Sequence, residues 1–253
     1  RVAGSGTAGQ GTANDFLLNT TGNVWGNATV FFDGSVKLGV SDAIAATSTM
    51  VFGWTAPEFS TSKLDLNGFD QTLASIATTD VTDDGSNMSI TDSTGTGTLT
   101  LNQATDTTYT GRFDGAMNLV KAGVGTLTLN NRSSAAHSIS GTTTVSAGIL
   151  DIDTDDYTSA ITVAAAGALE VDLGTTLALQ AALSVDAASQ IVIVGTPTLA
   201  SYTLISATSI TGTPVLSAPI ANYVLEVSGN ELQLNLDSQR HRPQRHYKID
   251  FIS

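Results

Sequence analysis

The densest group of side chains with ligating chemistry is Asp151-Ile-Asp-Thr-Asp-Asp156. In an extended strand alternate side chains share a face, so Asp151, Asp153 and Asp155 would present three carboxylates outward. Carboxylates so placed can hold Ca²⁺, a hard cation that takes oxygen ligands. The spacing imitates the start of an EF-hand loop, but Asp156 stands where that loop needs Gly and Thr162 where it needs Glu. A solvated acidic loop is the competing reading, and it also covers Asp80, Asp83 and Asp84. Calcium is the one cofactor these residues suggest.

Catalytic arrangements find less support. Glycoside hydrolysis needs two carboxyls held a few ångströms apart across a groove, and nothing in the sequence selects a pair. Cations that would hold an acidic polysaccharide are scarce: Arg1, Lys37, Lys63, Arg112, Lys121 and Arg132 are all that precede the last 16 residues. His137 lies in a Ser/Ala stretch with no Ser-His-Asp arrangement nearby and reads as a surface loop residue. His241 and His246 fall near the end of the chain. No Gly-rich phosphate loop has the strand-to-helix context it requires. The expectation is a protein that is not an enzyme, with no catalytic residues.

Binding has better candidates. Trp25, Phe31, Phe32 and Trp54 gather in the first quarter, where exposed aromatic rings can stack on sugars or anchor a partner. The competing reading is that they pack a terminal cap. Ser238–Ser253 is the other candidate: Arg240, Arg242, Arg245 and Lys248 stand there against Asp250 alone. Such a tail can be an arm reaching an acidic neighbour, or simply a disordered end.

These residues need a frame, and composition indicates which kind. Of 253 residues, 41% are hydrophobic, enough for a sizeable core, while only 13% are charged. Polarity comes instead from Ser, Asn, Gly and 38 threonines. Threonine suits a pleated surface, while Gly and Asn suit tight turns, so an all-β protein is expected. Residues 1–237 hold 22 acidic and 6 basic side chains, a balance that argues against a nucleic-acid partner. The absence of cysteine removes disulfides and thiolate metal sites. No run of 18–20 apolar residues is present to span a membrane as a helix.

The frame itself repeats. Gly-Thr-Leu-Thr-Leu-Asn occurs at Gly97–Asn102 and again at Gly125–Asn130, 28 residues later. Alternating leucines put Leu99 with Leu101, and Leu127 with Leu129, on one buried face. Related units follow at Gly148-Ile-Leu-Asp-Ile152 and Gly167-Ala-Leu-Glu-Val171, with Gly34-Ser-Val-Lys-Leu38 as an earlier variant. Periods of about 20–28 residues with variable loops fit a coil of stacked strands. If the units stack in register, Asn67, Asn102 and Asn130 would form an amide ladder. About ten rungs, and a rod on the order of 50 Å long, are expected from some 230 residues.

Lys121-Ala-Gly-Val-Gly-Thr-Leu-Thr-Leu-Asn130 followed by Ser138-Ile-Ser-Gly-Thr-Thr-Thr-Val-Ser-Ala-Gly-Ile-Leu150 resembles the autotransporter-associated, or passenger-associated, β-strand repeat. Leu64-Asp-Leu-Asn-Gly-Phe-Asp-Gln-Thr-Leu-Ala-Ser75 resembles a second hallmark of such passengers, and Ser201–Ile205 through Tyr223–Leu236 resembles their closing strands. Ile139 departs from the aromatic usual at its position, although Tyr109-Thr-Gly111 keeps it. The resemblance implies a right-handed parallel β-helix (solenoid) on the surface of a Gram-negative-type bacterium, and does not imply an enzyme. The organisation expected is a cap or interaction segment at 1–33, repeats at 34–237 and a basic tail at 238–253. The leading functional expectation is a structural stalk, matrix or fibre subunit that self-associates through its ends or arms. Two others stay open: an adhesin binding glycans or a host surface, and a polysaccharide lyase or hydrolase.

Overall fold

The computed structural model describes residues 16–21, 34–53, 62–79, 87–130, 137–153 and 157–237. Trp25, Phe31, Phe32, Trp54, Asp155, Arg240, Arg242 and Arg245 lie outside them, so the aromatic cap, the third aspartate and the basic arm have no structural description. Among the described residues there are 25 strands and no helix. The Ala-rich stretches follow the same pattern, with Ala164–Ala166 forming a turn between two strands.

The strands wind as a three-faced parallel coil of about seven turns. Face 1 stacks β1 (Phe16–Leu18), β2 (Gly34–Leu38), β4 (Ser62–Asp65), β7 (Met88–Asp92), β10 (Arg112–Gly115) and β13 (Ser138–Ile139). It continues through bridges at Tyr157 to β18 (Leu177–Ala178) and β21 (Ser201–Ser206). Face 2 stacks β5 (Gln71–Leu73), β8 (Thr98–Asn102), β11 (Asn118–Ala122), β14 (Thr142–Val145), β16 (Ala160–Val163), β19 (Leu183–Val185) and β22 (Ile210–Thr211). Face 3 stacks β9 (Thr107–Tyr109), β12 (Thr126–Leu129), β15 (Gly148–Ile152), β17 (Gly167–Asp172), β20 (Gln190–Val194) and β23 (Val215–Leu216). Below β9 lie β3 (Thr49–Phe52) and β6 (Ser75–Thr78), paired with each other. The Thr107 hydroxyl ties them on by donating to the Ile76 carbonyl at 2.6 Å.

Register corrects two expectations. The identical hexapeptides do not stack on each other: Leu99 in β8 pairs with Leu119, whereas Leu127 in β12 pairs with Thr107 and Leu150. The first copy is a face 2 strand and the second a face 3 strand, so their 28-residue offset is one turn plus one side of the coil. Asn67, Asn102 and Asn130 consequently end strands on three different faces and form no ladder. Asn67 instead takes the left-handed conformation, φ 52°, and donates its amide to the Leu38 carbonyl one turn below. The count of ten rungs also falls to about seven. The chain spends β24 (Tyr223–Ser228) and β25 (Glu231–Leu236) on an antiparallel hairpin added to β21.

Inward side chains form vertical columns through the turns. On face 2, Leu73, Leu101, Lys121, Val145, Val163 and Val185 share one column, and on face 3 Leu127, Leu150, Leu169 and Ile191 share another. The apolar members are buried, each contributing about 1.5–3 kcal/mol by leaving water. Stability is then roughly a sum over neighbouring turns. Residues of the Leu64–Ser75 hallmark hold the turns. Gln71 donates its side-chain amide to the Ile44 carbonyl at 2.8 Å and accepts from the Ile44 N–H at 2.9 Å. Just after it in the coil, the buried Asp92 carboxylate accepts the N–H groups of Gly68, Thr94, Gly95 and Gly97.

An aromatic column climbs the corner between faces 3 and 1. Phe52, Tyr109, Phe113, His137 and Tyr157 stand with successive ring centroids 5.1, 5.3, 5.7 and 5.7 Å apart. His137, expected on a surface loop, is instead wholly buried in this column. The Phe113 N–H donates to its Nδ1 at 3.1 Å, which leaves the proton on Nε2, where it has no partner among the described residues. Burial holds the imidazole pKa down to about 4.

Candidate functional site

The outer surface of face 3 brings several carboxylates together. Strand alternation turns Leu150 and Ile152 inward and Asp151 outward, with Asp153 following on the outward side. In β17 the same alternation turns Glu170 and Asp172 outward. Asp151 pairs with Thr128 below and Glu170 above, so two carboxylates project in register from strands about 4.8 Å apart. A second acidic column stands beside it. Asn130 donates to Asp153 at 3.4 Å, and Asp172 lies one rung on.

Together with Thr175 and Thr176 these residues line an open groove of about 450 Å³. Among the described residues, no Lys or Arg borders it. On face 1, by contrast, two carboxylates have cations: Lys37 meets the buried Asp65 at 3.5 Å and Arg112 meets Asp114 at 2.8 Å. Like charges directly opposite across strands are destabilising, and here they add to partial burial. Burial, then the Asp153, Glu170 and Asp172 charges, raises the Asp151 carboxyl to about 7, against a hydrogen bond from Thr128 that lowers it. Glu170 is raised by burial first, then by Asp172, Asp153 and Asp106, and Asp153 is raised by burial and Asp172.

Asp151 and Asp153 therefore share a face, as alternation required, while Asp155 lies outside the described residues. Their neighbours across the strands, Glu170 and Asp172, are the acidic residues that sequence reasoning missed. The signal was there: aligning Gly148-Ile-Leu-Asp-Ile152 with Gly167-Ala-Leu-Glu-Val171 puts Asp151 over Glu170, and Gly148 does pair with Gly167. Among the described residues no three His, Asp or Glu side chains are arranged to hold a metal ion.

The stretch that builds this groove has its own device. Lys121 occupies an inward position of a leucine and valine column and is fully buried. Its ammonium reaches the corner between faces 2 and 3 and donates to the carbonyls of Ala122, Gly123 and Ala147 at 3.1, 3.0 and 3.1 Å. Two of these belong to its own turn and one to the next, so a single cation joins consecutive corners. Burial lowers its pKa to about 8, opposed by the Asp106 charge. Gly123 and Gly148 have φ of 76° and 68°, and a Cβ at either would meet backbone within 2.4 Å. Lysine and glycines thus form one unit from β11 to β15. This is the segment that a known family describes. Residues 119–152 match the family model of the passenger-associated-transport-repeat. No curated protein and no solved structure matches the chain. Among the described residues, no helix is long and apolar enough to cross a membrane.

Proposed function

We propose that this chain is a non-enzymatic surface module of a Gram-negative-type bacterium, a rigid passenger-like rod that serves as a stalk, matrix or fibre subunit. The observation that carries the reading is the coil of about seven turns containing the passenger-associated repeat at residues 119–152. Each turn rests only on its neighbours, so the coil resists bending and sets a fixed distance between its ends, on the order of 35 Å for seven rungs. Subunits of this kind can add end to end or through an arm. Electron microscopy of the purified protein tests this directly. Rods of that length or ordered filaments support it, whereas flexible or globular particles contradict it.

A second reading has one observation behind it, the raised Asp151 carboxyl beside Glu170. A protonated and an ionised carboxyl close together are what a retaining glycosidase uses. Cleavage of a polysaccharide, lost in Asp151→Asn, would replace the structural reading with this one. The glycan-binding alternative rests on Trp25, Phe31, Phe32 and Trp54, which lie outside the described residues.

A further inference from the structure

Face 2 differs on its outside from the other two. Face 1 carries Lys37, Arg112 and Asp114, and face 3 carries Asp151 and Glu170. The outward positions of the face 2 strands, from β5 to β22, hold no charged side chain, in a protein of net charge −13. Among the described residues charge returns at the margins of the face. Asp42 and Asp70 accept the Thr72 and Thr98 N–H groups at 3.0 and 2.8 Å at its lower end, and Asp186 follows β19.

Threonine stands in place of charge. Thr72, Thr100, Thr144, Thr162 and Thr211 fall in one column of directly opposed residues, with Val120 and Ser184 in its third and sixth places. Those seven rungs pair without a register shift. Thr98, Asn118 and Thr142 run beside them, and the Asn118 Oδ1 accepts both the N–H and the hydroxyl of Thr142, at 3.0 and 3.1 Å. Among the described residues, the hydroxyls of Thr100, Thr144, Thr162 and Thr211 have no hydrogen-bond partner.

Neighbouring strands lie about 4.8 Å apart and alternate residues of one strand about 6.7 Å apart, so methyl and hydroxyl groups repeat on a grid of those two spacings. Threonine and valine are stiff at χ1 and nearly alike in shape, so the grid gives up little side-chain freedom on contact. Each group on it binds weakly, and a partner with the same two repeats engages many at once. Ice is such a partner: on its surface, oxygen atoms repeat at close to the rung spacing in one direction and the alternate-residue spacing in the other. A charged side chain would order water about itself instead, and the grid has none.

We propose that the outer surface of face 2 binds ice, its methyl and hydroxyl grid holding a first layer of water in lattice order. This goes beyond the structural reading of the rod and does not depend on it.

The test is partition of the full-length chain into a slowly growing ice front, with serum albumin in the same solution as the bystander. The native chain should be enriched in the ice while albumin is excluded. Thr144→Lys with Thr162→Lys puts two charges in the middle of the grid and should drop the ice fraction to the albumin level. Thr108→Lys with Thr126→Lys, on the outside of face 3, should keep the native level. Urea unfolding shows that each variant retains the coil. Exclusion of the native chain together with albumin would overturn the proposal without reference to any variant. So would equal loss in the two folded variants, or ice binding that survives in the folded face 2 variant. Sedimentation adds one more outcome: a native chain that is excluded from ice but pairs through face 2 would make this surface a contact between copies, and would also overturn it.

Discussion

Residues 109–172 carry two columns that treat titratable groups in opposite ways. At the inner corner, Tyr109, Phe113, His137 and Tyr157 stack ring on ring, and the one ionisable member that could charge near neutrality is held neutral. On the outer side of face 3, Thr128, Asp151 and Glu170 stack in register, with no cation among the described residues to separate the charges. The same strand spacing of about 4.8 Å serves both. Inside it gives aromatic contacts, each worth about 0.5–1.5 kcal/mol beyond burial. Outside it forces carboxylates together. A solenoid therefore makes its core by the very regularity that turns any outward acidic repeat into a site of repulsion.

Breaking the inner column should have the largest effect. Phe113→Ala removes the ring between Tyr109 and His137 and should cost about 3–5 kcal/mol in urea unfolding, whereas Thr108→Ala on the outer surface should stay within about 0.5 kcal/mol. His137 sharpens the contrast through pH. Its folded pKa lies below the unfolded value of about 6.5, so below that the unfolded chain takes up the proton first. Its contribution is complete above pH 6.5 and is lost as the pH falls to about 4, on the order of 3 kcal/mol in all. His137→Asn, which keeps an acceptor for the Phe113 N–H, should flatten that limb of the stability profile. Lys121→Ala should come next, destabilising by about 1–3 kcal/mol as three buried carbonyls lose their donor. Lys121→Met, which restores volume without the charge, should recover only part of the loss.

Much of the frame was legible: alternation and glycine spacing indicate a coil of stacked strands with leucines on one face, and the family resemblance implies its parallel winding and closing strands. What alternation cannot supply is the face on which a strand lies. Two identical hexapeptides sit on faces 2 and 3 because the chain between them makes one turn and one side more, and only pairing reveals this. His137 was misread for a related reason. Its neighbours Ser138 and Ser140 look like loop, yet the rung places the ring between Phe113 and Tyr157, a contact between residues some 20 positions apart. The groove was half legible: Asp151 and Asp153 stood out as a local run, whereas Glu170 and Asp172 join them only through register. Lys121 was visible as part of a motif, but its inward place shows only in its pairing with Leu101 and its three carbonyl partners.

The central claim is that the coil holds its outer acidic column against repulsion and draws its stability from the inner ones. The Asp151 carboxyl, raised to about 7, ties this to pH. Because its folded value lies above the unfolded one, Asp151 is no burden below about pH 4 and costs stability increasingly as the pH rises toward 7. The most direct measurement is urea unfolding of the native chain and Asp151→Asn across pH 4 to 8. The account predicts equal stability at pH 4 and a growing advantage for Asp151→Asn that levels off above pH 7. A substitution that destabilises at pH 8, or whose effect does not change with pH, would contradict it.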